Sequence, residues 1–233
     1  KTIANLLHMD NMVMGIAFGT AVSMLRQARC KQYKGTYTYI EMDDIQGDTP
    51  KVFPVTDRRF AQVCSDSFFK VPGAPVAYWI SDEVRDLFGN DSVGALTLSD
   101  GQNKTGNNDR FMRSWWEIDC KLIGKNKPWV LCARGGAYRK WYGNIEEVID
   151  WSETARQHYR RDHVARIVPD YIWYRSGFTW SRITSYKASF RLQPDYMLFE
   201  MTGLTLFVNT VENIPYMLGL MNSKVAEYLL GII

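Results

Sequence analysis

The sequence predicts a mixed α+β chain, in which an antiparallel pair of strands ends a larger sheet and a strand-rich domain with a few helices follows. Three observations predict it. An apolar run near the N-terminus alternates large and small residues with no polar face, as strands covered on both sides do. From Val93 onward, short alternating segments recur between turn residues. Helical spacing is confined to short stretches that open on capping residues.

The apolar run is residues 13–25. Met14, Ile16, Phe18, Thr20, Val22 and Met24 would point one way, and Val13, Gly15, Ala17, Gly19 and Ala21 the other. It reads as a buried strand. A polar connection (27–35) leads to a second alternating segment (36–42), and the two are expected to pair antiparallel. Residues 43–54, acidic with Gly and Pro, read as a linker. Residues 57–69 read as a short helix or irregular segment, and Val71-Pro72-Gly73-Ala74-Pro75 as a turn. Ser81 should cap a helix over 82–88, with Asp82 and Glu83 at its positive end.

Strands are then expected over 111–118, 129–133, 147–151, 171–174, 178–183, 186–192 and 197–208. Ser152 should cap a basic helix running to Arg161. Asn213 should cap a last helix with Pro215 in its first turn, interrupted near Asn222 and Ser223. This divides the chain into residues 1–45, which close a sheet, a connecting segment 46–92, and a strand-rich domain 93–233.

Composition narrows the function. The chain has 233 residues, 46% of them hydrophobic and 14% aromatic, as in a globular protein. No apolar run reaches the ~20 residues that span a bilayer, so no membrane partner is expected. Cys30, Cys64, Cys120 and Cys132 are scattered, and His8, His158 and His163 are dispersed. That spacing favours neither a metal site nor a disulfide scaffold, and fits the cytoplasm. Charge is uneven. Residues 104–191 hold 17 Lys+Arg against 9 Asp+Glu, net +8, while the remainder is net −5. Seven of the eight tryptophans lie in the basic block, and a block of that kind fits a polyanionic partner. The chain starts without Met and stops inside the apolar run Leu229-Leu230-Gly231-Ile232-Ile233, so both ends read as cuts through a longer protein.

No catalytic constellation is evident. There is no G-x-x-x-x-G-K-[ST], H-E-x-x-H or G-x-S-x-G. Glu146-Glu147 and Asp43-Asp44 are sequence neighbours, which on a strand point to opposite faces. No catalytic or metal-binding residue is therefore assigned, and the chain reads as a binding module.

Four segments carry a resemblance. Gly101…Lys104-Thr105-Gly106-Asn107-Asn108…Phe111 is similar to the signature that opens target-recognition regions in type IIG-like adenine-N6 DNA methyltransferases. Arg134-Gly135-Gly136…Arg139-Lys140-Trp141-Tyr142-Gly143-Asn144 resembles a segment of the BREX phage-defence methyltransferases of PglX type, and Gly177-Phe178-Thr179-Trp180-Ser181 the segment that follows it there. The run from Pro215 to Lys224 is similar to the closing segment of such regions. The resemblance implies that 13–42 are the closing strands of a Rossmann-like methyltransferase sheet and that the rest reads DNA. The S-adenosylmethionine loop and the [ND]-P-P-[YF] motif would lie upstream; no Pro-Pro occurs here. The methyl donor is thus expected in the parent protein and not in this chain, with duplex DNA and other defence-system subunits as partners. His8 is the one planar side chain where the family carries an aromatic beside the flipped adenine.

On this reading Lys104, Thr105, Gly106, Asn107 and Asn108 form a DNA-facing loop. Arg134, Arg139 and Lys140 serve phosphates, and Arg182 and Lys187 face the groove. The plainer alternatives are that Thr105-Gly106-Asn107 is only a tight turn and that Trp141 and Tyr142 anchor a core or loop. Two other function classes are a restriction enzyme–methylase hybrid and a protein- or glycan-binding module with exposed tryptophans.

Overall fold

The computed structural model describes residues 1–56, 59–184 and 187–233, with Phe60 and Ala61 described by backbone alone. Asp57 and Tyr186, at the start of two expected elements, lie outside the described residues. The chain forms two compact units, residues 1–91 with 232–233, and residues 92–231.

The first unit is built on a four-stranded sheet. Its strands are β1 (Thr2–Met9), β2 (Thr20–Arg26), β3 (Lys34–Ile40) and β6 (Arg59–Cys64), in the order β2-β1-β3-β6. A two-stranded hairpin of β4 (Ile45–Gln46) and β5 (Thr49–Pro50) stands in the segment expected to be a linker. Helix α1 (Asp82–Leu87) starts at Ser81, whose side chain accepts from the Val84 amide.

Three expectations are corrected here. Residues 13–19 are not strand, and β2 is an edge strand with six of its seven residues exposed. Met14, Phe18, Val22 and Met24 are all more than 60% exposed. Alternation fixes where side chains point, not whether another layer covers them. Second, β2 and β3 do not pair: β1, unrecognised in the sequence, lies between them, antiparallel to β2 and parallel to β3. Third, the segment around 59–64 is a strand rather than a helix.

The buried face of this sheet is aromatic. Tyr37, fully buried, stacks on Tyr78 at 5.2 Å between ring centroids and meets Phe68 edge-on. His8 reaches this group: its Nδ1 is 3.0 Å from the Tyr78 hydroxyl, and its ring is 4.7 Å from that of Tyr39.

The second unit holds two four-stranded sheets. In one, β8 (Met112–Ser114), β9 (Trp129–Ala133), β10 (Glu147–Asp150) and β13 (Leu198–Phe199) run in the order β13-β9-β10-β8. In the other, β7 (Thr97–Leu98), β11 (Gly177–Ser181), β12 (Phe190–Gln193) and β14 (Gly203–Val208) run in the order β12-β11-β14-β7. Strand β9 falls on the residues its alternation marks. The 111–118 segment instead becomes the short helix α2 (Asn108–Phe111), β8 and a 3-10 turn at Trp115–Glu117. Residues 170–172 are also a 3-10 turn, not a strand. The long 197–208 run is broken into β13 and β14 by the turn at Glu200–Thr202.

The core of this unit follows from strand alternation. Val130, Cys132, Ile149 and Leu198 pack beneath helix α3 (Glu153–Arg161) on Ala155 and Tyr159. Ser152 caps α3 through the Ala155 amide. Phe178 and Phe190 pack instead under helix α4 (Ile214–Met221), against Ile214 and Met217. Asn222 ends α4 by bonding the backbone of Phe190 both ways, and Ser223 caps helix α5 (Lys224–Leu230) through the Ala226 amide. No helix among the described residues is long and apolar enough to cross a membrane.

Burial lowers the His8 pKa from 6.5, with Asp10 opposing less strongly. The unfolded chain therefore binds more protons than the folded one as pH falls through 6.5, and stability drops in that direction. Chemical denaturation of the wild type and of His8→Gln between about pH 5 and 8 is expected to show a flatter acid limb in the variant.

Candidate nucleic-acid interface

A cleft of about 560 Å³ opens in the second unit. Its walls come from three chain segments that are distant in sequence: Arg134 to Arg139 after β9, Asn144 to Glu147 leading into β10, and Arg182-Ile183 after β11. Thr202, just before β14, completes it.

Arg134 forms the floor. Its Nε donates to Glu200 Oε1 at 3.1 Å, and its Nη1 contacts Glu147 Oε2. Thr202 hydrogen-bonds Glu200 and also accepts from the Gly135 amide at 3.2 Å. Burial pulls the Arg134 pKa down, but Glu147 and Glu200 outweigh it and leave the pKa raised. This guanidinium is therefore committed to protein carboxylates, not held out to phosphates as expected. A side chain at Gly135 would put its Cβ 2.7 Å from the Thr202 carbonyl oxygen, so only glycine lets the loop turn here.

The mouth is different. Arg139 is half exposed and stands 3.7 Å from an exposed Glu146 carboxylate, a long and solvated pair. The backbone amide of Arg182 donates to the Thr202 carbonyl at 2.9 Å, while its side chain is exposed with no ion-pair partner among the described residues. Ile183 beside it is 85% exposed. On the 134–144 loop, Trp141 and Tyr142 are both more than half exposed. Trp141 anchors the loop through its backbone, which pairs with Phe190 and Leu192, rather than through a buried ring.

The other expected site residues lie in two separate places. Lys104 pairs by backbone with Arg166, in bonds of 2.9 and 2.8 Å. Thr105 is buried, and its hydroxyl donates to Asn108 at 2.5 Å, so it is not offered to a partner. Gly106 takes φ +76, with Asp162 and Ala165 where a Cβ would stand. Asn107 caps α2 through the Arg110 amide. This segment is a capping turn with an exposed rim. Lys140 donates through Nζ to the Asn222 carbonyl at 2.8 Å, and Lys187 pairs with Glu227 at 2.5 Å. Both sit at the α4–α5 break. Lys187, then Lys140 and Lys224, hold the Glu227 carboxylate below its usual range.

The basic helix is also partly neutralised, because Arg156 and Arg160 both reach Glu153. Arg191, which the sequence presented only as a strand residue, is fully buried behind the cleft. Its place between Phe190 and Leu192 in an alternating strand was the available signal.

The chain is homologous to a segment of the adenine-specific methyltransferases. It is 34% identical over 176 residues to the adenine-specific methyltransferase PglX of Lacticaseibacillus casei (strain Zhang), covering 68% of this chain and 15% of that protein. It is 29% identical over 175 residues to the adenine-specific methyltransferase BrxX of Escherichia coli O9:H4 (strain HS), covering 72% of this chain and 14% of that protein. These are the BREX methyltransferases that the 134–144 and 177–181 segments resemble. The chain thus spans about a seventh of the length of the relatives it matches. No family model matches it. In the first unit β1 leads directly into β2, and a 3-10 segment and the turn at Gly73 stand between β6 and α1.

Arg134→Ala would strand Glu200, which is 3% exposed, as an unpaired buried carboxylate. Such losses cost about 3 kcal/mol or more, which is a fall in Tm of roughly 10 °C. Arg139→Ala should stay within about 0.5 kcal/mol. Calorimetry of the two variants checks the contrast.

Proposed function

We propose that residues 93–233 are the DNA target-recognition region of an S-adenosylmethionine-dependent adenine-N6 methyltransferase of a phage-defence system, working in the cytoplasm on duplex DNA, with other defence subunits as further partners. Residues 1–45 are then the closing strands of its Rossmann-like catalytic sheet, and 46–92 the connection. The methyl donor and the transfer step belong to the remainder of the parent protein. This chain's own part is to hold the duplex in register while the target base is turned out of the stack.

One observation carries the reading. Two of the four segments that resemble that family, 134–144 and 177–181, meet at one cleft, where the Gly136 amide donates to Ser181 Oγ and the mouth presents Arg139 and Arg182. Phosphate contacts of this kind supply affinity and steep salt dependence without sequence preference. A second reading, a protein- or glycan-binding module, is favoured by the exposed edge-to-face pair Trp115 and Trp116; its binding would barely change with salt.

Fluorescence anisotropy with duplexes of several sequences separates the two. The doubly substituted Arg139→Ala/Arg182→Ala chain should bind all of them more weakly by a similar factor. Its slope of log affinity against log salt should be shallower by at least about one. The chain alone should transfer no methyl group from S-adenosylmethionine. A loss confined to one sequence, or salt-independent binding, would defeat the assignment.

A further inference from the structure

Strand β12 buries a cation that the protein does not neutralise. Arg191 has no exposed surface. No carboxylate lies within ion-pair distance of it among the described residues. Its contacts are neutral and long: Nη1 to the Ser189 carbonyl and hydroxyl oxygens at 3.4 Å each, and Nη2 to Ser181 Oγ at 3.5 Å. Its Nε has no partner, nor does the buried hydroxyl of Thr179, which stands opposite it in the β11–β12 register. An arginine stays protonated in such surroundings, and a buried charge without a counter-charge is costly. Arg85, the other fully buried arginine among the described residues, has Asp82, and half-buried Arg134 has Glu147 and Glu200.

The missing counter-charge has a place to bind. Ser181 Oγ, the contact of Nη2, also accepts from the Gly136 amide at 3.1 Å, and Gly136 lines the cleft. Arg191 is thus one hydroxyl behind the cleft wall. Arg139 stands close enough that its charge, after burial itself, helps lower the Arg191 pKa. Arg182 follows Ser181 directly. Four guanidiniums therefore bear on one concavity: Arg134 is neutralised by Glu147 and Glu200, Arg139 has Glu146 at 3.7 Å, and Arg182 and Arg191 have no carboxylate within ion-pair distance among the described residues.

We propose that this cleft receives a single tetrahedral phosphate group, gripped by Arg139 and Arg182 at its mouth and held by the field of Arg191 as a buried positioning residue. Where the phosphate is a nucleic-acid backbone phosphate, the inference rests on the DNA reading above; free phosphate is the other source of the same chemistry. The phosphate supplies the negative charge that the fold withholds from Arg191, so binding and the relief of an uncompensated cation are one event.

Thermal unfolding and titration calorimetry of the 233-residue chain with inorganic phosphate test the first source. Phosphate should raise the wild-type Tm. Arg191→Met should leave the Tm without phosphate unchanged or higher, because an unpaired buried charge has been removed. It should lose at least tenfold in phosphate affinity, and Arg191→Lys should restore most of it. Arg139→Ala/Arg182→Ala, which alters only exposed groups, should lose phosphate binding outright. The second source is tested with duplex DNA, where Arg191→Met should reduce the salt slope by about one.

The proposal is overturned if Arg191→Met binds phosphate as the wild type does, if the double variant retains binding, or if Arg191→Met lowers the Tm, which would make Arg191 a structural residue. DNA binding with an unchanged slope overturns the phosphate cleft and leaves the recognition reading standing. Phosphate binding without DNA binding supports the cleft and removes that reading.

Discussion

The guanidinium of Arg134 lies between two carboxylates, one on a strand and one in a turn. Glu147 opens β10, and Glu200 follows β13 in the turn that starts β14 of the other sheet. Thr202 joins them by bonding Glu200 and the Gly135 amide. One half-buried cation thus fixes where β9 ends, where the second sheet begins, and how close the Gly135 loop runs to Thr202. Arg134, Glu147 and Thr202 line the cleft, and Glu200 ties Arg134 to Thr202 from outside the lining. Such a network is high-stakes: with every member satisfied it specifies one arrangement, and with one missing it leaves a charge buried without relief.

That constraint also explains the separation of roles among the arginines. By sequence, Arg134 and Arg139 are expected on phosphates and Arg182 in the groove, all three as free cations. The fold divides them. Arg134 is spent on protein carboxylates, and Arg139 and Arg182 stay at the mouth in solvent. The net charge of +8 across residues 104–191 therefore overstates what a polyanion meets. Arg156, Arg160 and Lys187 have acidic partners on their own surface. What remains for a phosphate is local and concave, and a low-dielectric wall there strengthens a charge more than a larger number of solvated lysines would.

Legibility followed the physics of each signal. Strand β9 and helices α1 and α3 were readable because alternation and capping act within a few residues. Strand β1 was missed because Thr2–Met9 carries Asn5 and His8 among its apolar residues, and its centrality comes from two partners distant in sequence. The 13–25 run was read as buried because both its faces are apolar, yet Phe18, Val22 and Met24 are exposed. Tyr171–Tyr174 has strand-like composition, but the Pro169 carbonyl accepts from the Ile172 amide and closes a turn. The site shows the same limit. Motif spacing marked the 134–144 and 177–181 segments, but whether a given arginine faces a carboxylate depends on residues sixty or more positions away, such as Glu200.

Arg191 is the extreme of that limit. An arginine is ordinarily expected at the surface, and no residue type at positions 189–193 announces otherwise. Only the register does: Phe190 and Leu192 point to the α4 side, so Arg191 must point the other way, alongside Thr179 and Thr205. Those neighbours are small and neutral, which leaves space for the long side chain and no charge to balance it. A methionine or leucine would fill the volume without the desolvation cost, so packing gives no reason for a guanidinium there. The electrostatic account does: a fixed positive field behind the Gly136–Ser181 wall acts on whatever enters the cleft. Because Arg191 is shielded from water, salt would screen it less than it screens Arg139 or Arg182.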